Sequence, residues 1–336
     1  MLGRRTFLTG AAAAASVAST SLTPAARASA KTCAPPSLPA QKPGEVLDGG
    51  ARRIAIPGGY KVWTKRVGHS PVKVLLLHGG PGFCHDYFEC FEDFLPQAGI
   101  EFYYYDQLGC GYSDHPNDDS LWTVARYVEE VEAVRKGLGL ENFILYGHSW
   151  GGMLAMEYAL KYQQNLSRLV ISDMTASVAA YVQYAAVLRR QLSAADQATL
   201  AKYEALNQTD APAYRAVMDK VYAEHFLRLT PWPEPVSRTF AKMNTHIYNV
   251  MQGPNEFVIT GNFRHWDRWA DLPKIKTRTL VMGAKYDEMS PDQIRREGRL
   301  IPNASTWIGE QGSHMCMYDD QRAYFMRLLP FLLNGC

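Results

Sequence analysis

Phe143-Ile144-Leu145-Tyr146-Gly147-His148-Ser149-Trp150-Gly151 changes character twice in nine residues. Positions 143–146 form a short apolar run of the kind that fills a buried strand. Gly147 and Gly151 then bracket a serine, and positions 150–162 carry apolar residues at helical spacing. A serine set between glycines at a strand-to-helix turn is the arrangement of a nucleophile elbow. The turn is tight, the glycines leave room for the close backbone, and the hydroxyl stands clear of the sheet. The alternative is an incidental serine in a glycine turn, and the surrounding motifs weigh against it.

Working outward, residues 52–56 and 60–67 alternate as two short strands around Pro57-Gly58-Gly59, the pattern of a hairpin. Residues 72–77 are almost continuously apolar, as expected of a strand buried on both faces. Further strands are predicted at 101–105, 169–172, 279–282 and 305–308, most of them separated by helix-length segments, including an amphipathic one at 121–138. That alternation predicts an α/β architecture with a mainly parallel sheet. Residues 175–270 break it. They are rich in Ala, Tyr, Met and Arg and read as several helices, a cap inserted over the carboxyl ends of the strands. The expected organisation is a leader at 1–30, core at 31–174, helical cap at 175–270, and the rest of the core at 271–336.

His78-Gly79-Gly80-Pro81-Gly82 follows the apolar strand directly. In the α/β-hydrolase fold this loop supplies one backbone N–H of an oxyanion hole, and the residue after the nucleophile supplies the other. These are Gly80 and Trp150. A phosphate-binding loop is excluded, because neither G-x-G-x-x-G nor G-x-x-x-x-G-K-[ST] can be written through the segment. The triad order in this fold is serine, acid, histidine. Two acids stand just past strands downstream of Ser149, namely Asp173 and Asp287. Only His314 among the histidines follows Asp287, so choosing Asp287 fixes the base; Asp173 remains the alternative acid. His148 is expected to shape the elbow, and His78 and His85 to brace the oxyanion loop. In this reading His314 takes the proton of Ser149, Asp287 orients the imidazole, and the reaction passes through an acyl-enzyme without a cofactor.

The remaining features bound the function. A formal charge of +2, 47% hydrophobic and 20% charged residues describe a globular chain with a large core. No basic cluster suited to nucleic acid occurs beyond the N-terminus and the Arg295-Arg296 pair. Arg4 and Arg5, a mildly apolar Ala-rich run and Ala28-Ser29-Ala30 read as a twin-arginine export signal cleaved after Ala30. The run is too short and too rich in Ala, Ser and Thr for a membrane anchor. The expected location is therefore periplasmic or secreted. Proline-rich residues 31–48 read as an extended lead-in. The six cysteines, Cys33, Cys84, Cys90, Cys110, Cys316 and Cys336, admit fifteen complete disulfide pairings, and sequence selects none of them. No C-x-x-C, H-E-x-x-H or other zinc spacing is present, so no metal site is expected.

These residues resemble a known family, the prolyl iminopeptidases and their amidase relatives. The resemblance covers about residues 50–333. It is carried by the loop at 78–82, by Asp106-Gln107-Leu108-Gly109-Cys110-Gly111-Tyr112-Ser113, by the elbow, and most narrowly by Met251-Gln252-Gly253-Pro254-Asn255-Glu256-Phe257 in the cap. It implies release of an N-terminal residue, preferably proline, from a small peptide or amino-acid amide. It also implies that carboxylates at Glu256 and Glu288 hold the free amine. The leader and Cys84, Cys90 and Cys316 depart from the family pattern. Three rivals stay open: an exported amino-acid amidase or esterase with the same triad, a lipase-like or lactone hydrolase with no amine site, and a binding protein on a hydrolase scaffold. Oligomeric state is not encoded legibly.

Overall fold

The computed structural model describes residues 48–334, so the twin-arginine leader, most of the lead-in, Cys33 and Cys336 lie outside the described residues. The hairpin around Pro57-Gly58-Gly59 forms β1 (Asp48–Ala55) and β2 (Lys61–Val67), paired antiparallel. The apolar run becomes β3 (Lys73–Leu77), followed by β4 (Glu101–Asp106), β5 (Phe143–His148), β6 (Leu166–Ser172), β7 (Thr279–Ala284) and β8 (Ala304–Gly309). They make one eight-stranded sheet in the order β1-β2-β4-β3-β5-β6-β7-β8. β2 runs antiparallel to β4, and from β4 to β8 every neighbour is parallel. This is the α/β-hydrolase architecture expected from the sequence.

The central strands are buried on both faces, and alternate residues serve different cores. Leu75, Leu77, Leu145 and Ile171 pack in one apolar cluster, while Val74, Leu76, Ile144, Tyr146 and Val170 pack in another. Helices must therefore cover both sides. α1 (Val124–Leu138) and α2 (Trp150–Tyr162) follow β4 and β5. α1 begins three residues later than its apolar pattern suggests, because the Thr123 hydroxyl caps it by accepting the N–H of Arg126; Gly139, at φ 65°, ends it. β5 runs two residues beyond its apolar core, since Gly147 pairs with Leu77 and His148 with Ser172. The extension delivers Ser149 to the rim of the sheet.

Between β6 and β7 are α3 (Val178–Arg189), α4 (Ala194–Ala205), α5 (Pro212–Val221), α6 (Glu234–Lys242) and α7 (Thr245–Met251). No strand interrupts them among the described residues. α6 is tied to the segment after the oxyanion loop. The buried Asp86 accepts from Lys242 at 2.7 Å and lies 3.1 Å from Arg238 Nε, and Arg238 also donates to Glu89 at 2.7 Å. The carboxylates of Asp86 and Glu89 beside His85 are thus matched by cations of the inserted helices. Just past α6, the Asn244 N–H donates to the Gly82 carbonyl at 2.8 Å.

The core closes with α8 (Pro291–Leu300), α9 (Cys316–Asp319) and α10 (Gln321–Asn334). Cys84, Cys90, Cys110 and Cys316 are buried free thiols. Burial pushes the Cys84 thiol up to about 12 and the other three above their ordinary value, so none carries the thiolate that exchange requires. No helix of the described residues is long and apolar enough to cross a membrane.

Candidate active site

Ser149 stands where β5 turns into α2, at φ 56° and ψ −127°, a strained conformation for a residue with a side chain. Two glycines make the turn feasible. A Cβ on Gly147 would lie 2.0 Å from the Gly151 carbonyl oxygen, and one on Gly151 would lie 2.0 Å from that of Leu77. The Ser149 N–H donates to the Ser172 carbonyl at 2.9 Å, which pins the elbow to β6.

The loop after β3 lies against the nucleophile. A Cβ on Gly79 would come within 3.0 Å of the Ser149 Cβ, and Gly80, at φ 108°, has its missing Cβ position only 2.6 Å from the Gly82 nitrogen. Gly80 and Trp150 line one pocket with Ser149 and His314. As the first residue of α2, Trp150 has a main-chain N–H with no partner in its own helix. Its indole donates to Gln107 at 2.8 Å and stacks on Phe263, which fixes the start of the helix.

Of the two acids after strands, Asp287 meets the base: its Oδ1 lies 2.8 Å from Nδ1 of His314 and also accepts the Met289 N–H at 3.0 Å. The approach of Asp173 is to His148, 3.8 Å away from its Oδ2. Inserted residues hold the loop of the base, because the N–H groups of His314 and Met315 donate to the carbonyls of His225 and Phe226. Burial lowers the His314 imidazole to about 4, so it rests neutral and able to accept a proton.

Glu256 and Glu288 line the same pocket as Ser149. Glu256 comes from the turn after α7 and accepts from two tyrosine hydroxyls, Tyr222 at 2.6 Å and Tyr248 at 2.8 Å. Glu288, next to Asp287, is 7% exposed, and its Oε1 lies 3.6 Å from His314 Nε2. Burial, and then the charges of Glu256 and Asp287, push the Glu288 carboxyl well above its ordinary value. Apolar Phe83, Met153, Phe226 and Phe263 wall the space around these acids. No lysine or arginine lines this pocket among the described residues, so the two carboxyls have no cation beside them there.

The three remaining histidines of interest are structural. His148 Nδ1 faces the Tyr87 hydroxyl at 3.2 Å, and that hydroxyl accepts the Gly79 N–H at 2.7 Å. His78 Nε2 accepts the Gln107 N–H at 3.1 Å, while His85 pairs with Asp106 at 2.8 Å. Tyr87, Tyr222 and Tyr248 carry no sequence signal that marks them as site residues. Gln107 alone carried a signal, its place beside Asp106 in a recognisable motif.

The sequence profile of the alpha/beta hydrolase fold family matches residues 73–321. The chain is 44% identical over 281 residues to a proline iminopeptidase of Elizabethkingia meningoseptica, covering 82% of this chain and 94% of that one. Among solved structures, that of VinJ superposes with a TM-score of 0.81 at 32% identity, over 85% of this chain and 98% of the other. The proline iminopeptidase of Mycobacterium smegmatis gives 0.78 at 29% identity, over 84% and 97%.

Proposed function

From its membership of the proline iminopeptidase family of α/β-hydrolases, to which the chain belongs, we propose that this serine hydrolase releases an N-terminal residue, preferably proline, from small peptides through an acyl-enzyme. The observation that carries the reading is the convergence of Glu256 and Glu288 on the pocket of Ser149 and His314. The free amine of the substrate docks between the two carboxylates and sets its carbonyl at the nucleophile. Glu256 arrives with both oxygens already oriented by Tyr222 and Tyr248, which lowers the ordering cost of binding.

In the proposed course, His314 Nε2 takes the Ser149 proton as Oγ attacks the carbonyl, and Asp287 steadies the imidazolium through Nδ1. The developing oxyanion falls to the N–H groups of Gly80 and Trp150, where one such donor contributes about 3 to 4 kcal/mol. His314 then gives its proton to the leaving amine. Water attacks the acyl-enzyme with the same base, and the freed amino acid departs.

A kinetic panel of chromogenic aminoacyl amides, including prolyl, alanyl and N-acetylprolyl, tests the reading. It expects prolyl first, alanyl lower and acetylated substrate very poor; equal rates for free and acetylated proline would shift the assignment to a lipase-like or lactone hydrolase. Adding prolinamide and a prolyl dipeptide separates an aminopeptidase from an amidase with the same site. Export through the twin-arginine leader is part of the proposal, supported by Arg4, Arg5 and the small residues before Lys31.

A further inference from the structure

Asp173 directly follows β6 and Asp287 lies three residues past the end of the neighbouring β7, and the Asp173 N–H donates to the Met282 carbonyl at 2.9 Å. Both side chains are fully shielded from solvent, and their carboxyls come within hydrogen-bonding reach of each other. Each has one buried oxygen without a donor, Oδ1 of Asp173 and Oδ2 of Asp287. Among the described residues no lysine or arginine pairs with either carboxyl. Two carboxylates this close and this dry do not both ionise, and two orphaned acceptors are costly. One proton cures both faults, since a protonated carboxyl donates where a carboxylate only accepts.

The surrounding donors decide which acid keeps that proton. Asp287 Oδ1 already receives the Met289 N–H at 3.0 Å and the imidazole of His314 at 2.8 Å, both of which favour its ionised form. Asp173 has the Ser172 hydroxyl on Oδ2 at 2.6 Å. That hydroxyl in turn contacts the Tyr324 hydroxyl at 2.9 Å, which is bonded to Tyr146. The other titratable groups nearby do not supply a positive charge. His148 is kept neutral by burial, with Nε2 directed at the His314 carbonyl. Asp319 adds negative charge, and Glu288, raised well above its ordinary value by burial, brings no positive charge.

We propose that Asp173 is a positioning residue of the catalytic machinery: it stays protonated and donates a hydrogen bond to Oδ2 of Asp287, locking the acid so that Oδ1 faces the base. Burial, followed by the Asp287 charge, raises the Asp173 carboxyl well above its ordinary range; burial also raises Asp287, to about 7, against which the Met289 N–H and then the hydrogen bond from Asp173 act to lower it. The pair carries a single negative charge, and that charge sits on the member that touches His314.

The proposal rests on the triad reading, and the experiment separates the two. Asp173→Ala leaves Oδ2 of Asp287 without a donor, so kcat/KM for a prolyl anilide falls about ten- to a hundredfold, in line with a buried polar group losing its partner. The acid limb of the pH profile moves upward, because ionised Asp287 has lost a stabilising donor. Asp173→Asn keeps an N–H donor and recovers about tenfold of that loss. An infrared difference spectrum, wild type minus Asp173→Asn at neutral pH, shows the carbonyl band of a protonated carboxyl, a readout independent of turnover. Absence of that band overturns the proposal even if the triad stands. So does an alanine variant with an unshifted acid limb, or an asparagine variant no better than alanine.

Discussion

The ring of His148 reaches from the nucleophile elbow to the loop of the base, placing Nε2 2.9 Å from the main-chain oxygen of His314. A carbonyl only accepts, so Nε2 carries the proton and Nδ1 is left to accept from the Tyr87 hydroxyl. The Gly79 N–H donates to that same hydroxyl. One chain of hydrogen bonds therefore joins the loop after β3, the residue preceding Ser149 and the main chain of His314, and burial keeps His148 in the neutral form that this pattern needs.

Tyr87→Phe removes the central link of that chain. It orphans the buried Gly79 N–H and the His148 Nδ1, a loss of about 1 to 3 kcal/mol. We expect kcat to fall about tenfold or more with KM nearly unchanged, because the loop that should meet the oxyanion loosens while the amine site is intact. A rise in KM at constant kcat would place Tyr87 in substrate binding instead.

The sequence revealed the parts of this site that depend on local pattern and concealed those that depend on distance along the chain. Trp150–Tyr162 is a helix to the residue as expected, and the elbow stands where glycine spacing placed it. By contrast Tyr87 and His148 are 61 positions apart, and Tyr222 and Glu256 are 34 apart. No periodicity joins such partners. The role proposed for Asp173 is hidden for another reason: an acid after a strand reads the same whether it orients a base, caps a helix or holds a proton for a second acid. Strand ends also moved, because pairing with Leu77 and Ser172 extends β5 past its apolar residues.

Glu256→Gln and Glu288→Gln should each lower kcat/KM for prolyl amides by about two to four orders of magnitude. This is the range for a desolvated charge that loses its partner, about 3 to 5 kcal/mol. The positive charge of a bound prolyl ammonium outweighs the burial and the neighbouring Glu256 and Asp287 charges that raise the Glu288 carboxyl, so Glu288 ionises and gives up its proton. Calorimetry of prolinamide binding to Ser149→Ala in buffers of different ionisation enthalpy should show that release, and Glu288→Gln should remove it. Buffer-independent heats would contradict the resting state assigned to Glu288.

Glu297 on α8 is fully buried, and neither carboxyl oxygen has a hydrogen-bond partner. Burial raises it well above 4.5, so the folded chain binds its proton more tightly than the unfolded chain does. Stability from this group is complete below 4.5 and declines as pH rises toward the folded value. Glu297→Gln cannot ionise. Its stability relative to wild type should improve by up to about 1.4 kcal/mol per pH unit across that window, read from denaturant midpoints at pH 5 and 7. A constant difference between the two would show that Glu297 is not protonated in the fold.

Replacing Arg4 and Arg5 with Lys should hold the precursor in the cytoplasm, because the twin-arginine signal is read by a receptor and not by its hydrophobicity. Fractionation with N-terminal sequencing checks this. Mature protein beginning at Lys31 and appearing outside the cytoplasm at the normal rate would count against the signal.

The central claim is that Ser149 performs the attack, and Ser149→Ala tests it most directly. The substitution deletes one hydroxyl from a half-buried elbow and disturbs little packing, so the thermal unfolding profile should match wild type. Turnover of a prolyl anilide by the purified variant should fall by up to about a millionfold, leaving what oxyanion stabilisation and binding provide. Hydrolysis at a rate comparable to wild type, from protein shown by mass to carry the substitution, would contradict the account.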